Sequence, residues 1–218
     1  MFKRFFLLLL VSTGLVASVQ AKEVSRKDPY VMVETAAQHA FDRLKAHQQE
    51  VQKNPNLLKD IVREELLPYV DYRYASLKVI GRNLPNVKRD QVERFMAAFK
   101  DYLVTTYAQA FTQYHDQNVR FERDSLGDDN HQRIVSVKAR ITEQGAPDID
   151  ITFKARLNRK TGNWGVYDMV AEGISLLSSK QAELEGLIRQ KGIDAVTEML
   201  KEKAKADITY KKSGNKTS

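Results

Sequence analysis

At Asn118 the spacing of apolar residues changes from helical to period two, and no other feature limits the fold as much. A period of two sends successive side chains to opposite faces of a strand, so each strand beyond this point needs something apolar to cover one face. Val119 and Phe121 begin the alternation. After the turn DSLGDDN (124–130), Val135, Val137, Ala139 and Ile141 share a face opposite Ser136, Lys138 and Arg140. After TEQGAPD (142–148), Ile149, Ile151, Phe153, Ala155 and Leu157 alternate with Asp150, Thr152, Lys154 and Arg156. NRKTGN (158–163) then leads into a fourth strand. Four strands joined by short turns read as an antiparallel meander.

The fourth strand, WGVYDMVAEGIS (164–175), has no clean polar face. Strict alternation places Trp164, Val166, Asp168 and Val170 on one side and Tyr167, Met169 and Ala171 on the other. A sheet wet on one side has polar residues there. This strand is therefore expected to be covered on both sides.

Helical patterns flank the strands. Asp28-Pro29 is an N-cap followed by proline at the first helical position, and Val33, Ala37, Phe41, Leu44 and Val51 predict a long helix reaching Asn54. Leu58, Ile61, Val62 and Leu66 predict a second helix over 56–67, stopped by Pro68. A short helix and turn follow, closed by Gly81 and Pro85. The strongest pattern runs from Lys88 to Tyr114, where Val92, Phe95, Met96, Phe99, Leu103, Tyr107, Ala110, Phe111 and Tyr114 form one stripe. Such a stripe suits either plain core or the border of a greasy cavity. Past the sheet, a helix capped by Ser178 or Ser179 carries Leu184, Leu187 and Ile188 and ends at Gly192. Another carries Ile193, Val196, Met199 and Leu200. The expected class is α+β: helices packed on a curved four-stranded antiparallel sheet, with an interior that fills with side chains or holds a ligand.

The chain opens with Lys3 and Arg4, an apolar stretch from Phe5 to Val16, and Val19-Gln20-Ala21. This is the pattern of a cleaved secretory signal peptide over residues 1–21. An uncleaved anchor is the weaker reading, because the apolar core is short for a bilayer span. Removing 21 of the 218 residues leaves 197, and the net charge falls from +7 to +5 with Lys3 and Arg4 gone. Residues 22–210 are expected as a single domain and the polar 211–218 as a disordered tail. The sequence has no cysteine, which excludes disulfides, thiolate metal sites, a cysteine nucleophile and a lipoprotein anchor. The modest positive charge suits an anionic membrane surface or an acidic partner, and no nucleic-acid motif is present.

Motifs for chemistry are sparse. There is no phosphate-binding glycine loop, and His39, His47, His115 and His131 have no metal-ligand spacing. GDDN (127–130) lacks the residue order of a calcium loop. EGISL around Ser175 is not a nucleophile elbow, because Leu occupies position 177. Asp168 is the one candidate general base, a carboxylate on an apolar strand. The competing reading gives it a backbone N–H, an arginine or water as a structural partner.

LLPYVDYRYASLKVIGRNL (66–84), QVERFMAAFKDYLVTTYAQAFTQY (91–114) and WGVYDMVAEGISLLSSKQAEL (164–184) together resemble the MlaC, or toluene-tolerance, family. These are periplasmic phospholipid carriers of Gram-negative bacteria. The resemblance implies a cone of the nuclear-transport-factor type, with helices over the sheet and acyl chains of a glycerophospholipid between them. It implies a monomeric carrier in the periplasm, transiently near membranes. That carrier would pass lipid between an outer-membrane lipoprotein–porin complex and an inner-membrane MCE-domain ABC transporter complex. It would need no cofactor beyond its cargo and no catalytic residue. From the apolar pattern, Phe99, Leu103, Tyr107 and Phe111 on the long helix and Val135, Val137, Ile151, Phe153, Val166 and Val170 on the sheet are the candidate cavity lining. Leu77 and Ile80 are a candidate movable wall, and Lys78 and Arg82 are weak candidates for a phosphate headgroup. Each apolar position fits core packing as well as ligand contact. Two other readings stand beside the carrier: a cavity enzyme of related fold with Asp168 as base, and a periplasmic adaptor or chaperone.

Overall fold

The structure, a computed structural model, describes residues 24–114, 117–122 and 132–210. The expected signal peptide, the first hairpin turn (124–130), His115, His131 and the expected tail lie outside these residues. Asp28 caps helix α1 (Pro29–Ala46), its carboxylate accepting from the backbone N–H groups of Tyr30 and Val31. The long helix expected to reach Asn54 is broken at His47, whose non-helical backbone separates α1 from α2 (Gln48–Lys53). Next come α3 (Leu57–Ile61), a π-turn (Val62–Leu66) and a 3-10 turn (Leu67–Tyr69). Pro68 has no N–H to give, so the helical ladder cannot run on through it. Arg43 of α1 ties down the π-turn through Glu64 at 2.6 Å and Glu65 at 2.9 Å.

Val70 then bridges to Val166 of the sheet, and the Asp71 N–H donates to the Val166 carbonyl at 2.7 Å. Asp71 caps α4 (Tyr72–Ile80), which ends at Gly81 with φ of +56°, a value that favours glycine. A 3-10 turn (Gly81–Asn86) leads to α5 (Arg89–Phe111), the aromatic helix.

The sheet has five antiparallel strands in sequence order: β1 (Asn118–Glu122), β2 (Ile134–Thr142), β3 (Ile149–Asn158), β4 (Asn163–Ala171) and β5 (Ile174–Ser175). The two-residue β5 is additional to the four strands read from the sequence. It runs into α6 (Leu176–Lys191), whose cap is Ser175 rather than Ser178 or Ser179. Gly192, at φ of +80°, turns the chain into α7 (Ile193–Lys205).

The register of β3 on β4 departs from strict alternation. Lys154 lies opposite Asp168, but Ala155 lies opposite Val166, so Tyr167 has no partner across the pair. This β-bulge flips the parity of the strand. The face that carries Trp164 and Val166 continues with Met169 and Ala171, opposite Phe153 and Ile151. Asp168 and Val170 belong to the other face, the side on which α6 packs.

Three apolar clusters hold the molecule together. The first joins α4, α5, α6 and α7 around Ile80, Phe95, Phe99, Leu103, Leu184 and Leu200. The second joins α1, α2, α3 and α5 around Leu44, Leu58, Val62 and Val104, and Ile208 from beyond α7 completes it. The third seals one end of the inner sheet face with Met32, Val33, Val135, Val137, Ala155 and Trp164. Phe99 is 1% exposed, so Phe99→Ala should cost about 3–5 kcal/mol of unfolding free energy, read as a fall in urea midpoint.

Candidate ligand cavity

Between α1, the Leu66–Val70 segment, the end of α5 and the inner sheet face lies a cavity of about 330 Å³. It sits where the borders of the three clusters meet. Leu66, Tyr107, Phe111 and Tyr114 border the cluster of α1, α3 and α5, and Tyr69, Phe121, Phe153 and Val166 border the sheet cluster. Val70 and Tyr107 also touch the cluster of α4 to α7. Among the described residues no charged one lines the space; its polar members are Gln113, Gln117 and three tyrosines. Phe41 stands edge-on to Phe111 and lies 4.8 Å from Tyr114 by ring centroids, forming an aromatic wall on the helical side. Ala110, Gln113 and Ile149 are exposed, which places the mouth between the end of α5 and the start of β3.

Among the residues anticipated from the pattern, Tyr107, Phe111, Ile151, Phe153 and Val166 lie on the cavity wall. The others do not. Ile80, Phe99 and Leu103 face α6 and α7, because the stripe on α5 is wide enough to serve the helical core with its first half and the cavity with its second. Leu77, on α4, is also absent from the wall, so the anticipated movable wall is not a wall of this cavity. The corresponding position is taken by Leu66, Tyr69 and Val70. Val135 and Val137 share the inner sheet face but lie under Met32 and Val33. Val170 points to the opposite face because of the bulge, and Met169 takes the inward place that alternation assigned to it. Lys78 is exposed on α4, and Arg82 pairs with Glu185 at 2.7 Å; neither lines the cavity.

Pattern reading missed Val33, Ala37, Phe41, Val119, Phe121, Ala139, Ile141 and Ile149 as lining residues. For the strand residues the signal was present, since they share the inner face with Ile151 and Phe153. For α1 it was absent, because nothing local says which neighbour a helix face meets.

Asp168 is outside the cavity lining. It is 6% exposed, and its carboxylate accepts from the Leu177 N–H at 3.0 Å and from the Ser175 hydroxyl at 2.8 Å. Lys154 Nζ stands 3.8 Å away. A carboxylate so placed satisfies the first turn of α6 and interacts favourably with the positive end of its dipole. The structural reading of this residue therefore holds, and no general base faces the cavity from β4. His39 is half-buried on α1.

Tyr107 is different. It is half-buried and lines the cavity. Burial away from bulk water, and secondarily the charge of Asp168, push its hydroxyl up to about 12.

The architecture and this hollow define a class: an α+β binding protein with an internal apolar compartment, its helices laid over an open antiparallel sheet. Comparison with known proteins makes the assignment specific. The sequence profile of the MlaC protein family matches residues 34–202. The intermembrane phospholipid transport system binding protein MlaC of Haemophilus influenzae is 33% identical over 210 residues, covering 95% of this chain and 96% of that one. The toluene tolerance protein ttg2D of Pseudomonas putida is 23% identical over 163 residues, 74% of each chain. In three dimensions the chain is similar to a phospholipid-binding protein of Ralstonia solanacearum solved with a phospholipid. That pair has a TM-score of 0.70 at 20% identity, over 81% of this chain and 97% of the other. The chain belongs to the MlaC family.

Two outcomes follow from these placements. Asp168→Asn should lower the unfolding free energy by about 1 kcal/mol through the weakened cap, with cavity occupancy unchanged. In an absorbance titration of the phenols, one tyrosine should ionise near 12 rather than at the usual 10, and Tyr107→Phe should remove that step. The unfolded chain gives up this proton first, so the folded state loses stability as pH rises through 10 towards 12.

Proposed function

We propose that this protein is a periplasmic carrier of glycerophospholipid. It takes lipid across the aqueous gap between an outer-membrane lipoprotein–porin complex and an inner-membrane MCE-domain ABC transporter complex. Withdrawal of misplaced phospholipid from the outer leaflet then preserves the asymmetry of that membrane. The observation that carries this reading is a hollow of about 330 Å³ with no charged residue in its wall among the described residues, in a chain of the MlaC family. The relative in Haemophilus influenzae is a binding protein of intermembrane phospholipid transport, and the Ralstonia protein holds a phospholipid. Both support the same cargo here.

The physics of the task fits the geometry. Burial is worth ~0.8 kcal/mol per methylene, so the roughly thirty methylenes of two acyl chains cost on the order of 20 kcal/mol when bared to water. Free diffusion of lipid across a gap is therefore negligible. A carrier needs a wall nearly as apolar as a bilayer, so that transfer in either direction is close to balanced. It needs no chemistry of its own, and direction can be set by an ATPase elsewhere. With Lys78 and Arg82 away from the cavity, the phosphate has water and the amides of Gln113 and Gln117 near the mouth as its surroundings.

Protein purified from the periplasm and extracted with organic solvent should yield intact diacyl phospholipid by mass spectrometry. An empty protein that takes up no lipid from vesicles would end the proposal. Ile151→Asp, a half-buried wall position, should strip the lipid while leaving the far-ultraviolet circular dichroism intact. Val137→Asp, under Met32 and Val33, should instead abolish the fold.

A further inference from the structure

The Tyr107 hydroxyl, in the wall, does not suit plain hydrocarbon. Among the described residues the Tyr107 hydroxyl has no hydrogen-bond partner. Every fully buried side-chain oxygen or nitrogen among them is bonded, so this unbonded hydroxyl is not fully enclosed by protein, and the cavity is the space that Tyr107 lines. The two other lining tyrosines differ. The Tyr69 hydroxyl accepts from the Val24 N–H at 3.2 Å. Tyr114 follows the end of α5 beside the exposed Gln113, near the mouth. Tyr107 lies seven residues before Tyr114, about 10 Å further in along the helix axis. Its hydroxyl stays neutral throughout the physiological range and can act there as a hydrogen-bond donor.

A donor left bare in an apolar space carries a desolvation penalty, so the occupant should supply an acceptor. A phospholipid offers few. Its phosphate is drawn to water, since no cation among the described residues lines the cavity. Next along the molecule come the ester carbonyls, which are neutral and accept only; beyond them is hydrocarbon that accepts nothing. Resting on the phospholipid reading above, we infer that the Tyr107 hydroxyl donates a hydrogen bond to an ester carbonyl of the bound lipid. Tyr107 is thereby a specificity-determining residue: it sets how deep the lipid sits and favours ester-linked chains over ether-linked ones.

The test compares a diacyl phosphatidylethanolamine with its dialkyl ether analogue of equal chain length, offered together in vesicles, with occupancy read by native mass spectrometry. The wild-type protein should prefer the diester by about five- to tenfold, the ratio expected of one net hydrogen bond. Tyr107→Phe should keep total occupancy and bring the ratio close to unity. The carbonyl stretch of the bound diester should lie lower in the wild-type protein than in that variant. Phe111→Leu, one turn away on the same wall, should weaken both lipids without moving the ratio. A wild-type protein that binds both lipids without preference overturns the inference, as does a Tyr107→Phe variant that keeps the preference or a Phe111→Leu variant that loses it. A wild-type protein that takes up neither lipid overturns the phospholipid reading itself.

Discussion

An apolar hollow inside a small protein tends to collapse, and holding it open is the constraint to which the other parts of this fold answer. An unfilled cavity costs ~24 cal/mol per Å³, so one of this size weighs several kcal/mol against a domain whose total stability is on the order of 10 kcal/mol. Side chains that merely leaned inward would close it. Here the inner wall residues are braced from behind. Tyr107 and Phe111 stand on a helix whose other side is locked into two separate clusters, and Phe153 and Val166 border a third. Met32 and Val33 pack with Trp164 in that third cluster, and Val33 also lines the space, a cup closed on that side.

The bulge in β4 serves the same end. Without it, strict alternation would turn Asp168 towards the same side as Val166 and bring a carboxylate into the cup. One extra residue, Tyr167, changes the parity at the point where it matters. Met169 then faces inward, while Asp168 faces α6 and binds its first turn through Leu177 and Ser175. The displaced Tyr167 ring packs edge-on against Tyr74, at 5.2 Å between centroids, and the Arg156 guanidinium lies 4.2 Å from the Tyr74 ring on the same outer side. The sheet is thus dry within and polar without, and the chain that enters α6 is anchored at the crossover.

Most of the architecture was legible in the sequence because it rests on local rules. The capped start at Asp28-Pro29, the α5 stripe, the period-two strands and the stop at Gly192 each depend on near neighbours in the chain. The cavity was half legible for a related reason. Period two correctly grouped the inner faces of β2 and β3, but not which part of each face α1 would cover, so Val135 and Val137 were indistinguishable from Ala139 and Ile141. The α5 stripe likewise carried no mark dividing Phe99 from Phe111, since the division is made by α6 and α7, some eighty residues away. The bulge left no readable sign, because WGVYDMVA suits either parity until its partner strand is fixed. The helical break at His47 was equally hidden.

The Tyr107 hydroxyl gives this arrangement a further meaning in the proposed role. A wall wholly of hydrocarbon holds any oily chain at any depth, and cargo held that way can slide. One neutral donor set below the mouth gives the lipid a register without offering a charge, and a charge in that place would be costly to leave bare each time the cargo departs. A phenol whose ionisation is pushed up to about 12 remains neutral through the whole cycle. Its single hydrogen bond is weak enough to exchange with water at release, yet it has no equivalent along the hydrocarbon tail. A carrier that must both seize and surrender its load is better served by such a modest, directional contact than by the Lys or Arg that headgroup recognition alone would suggest.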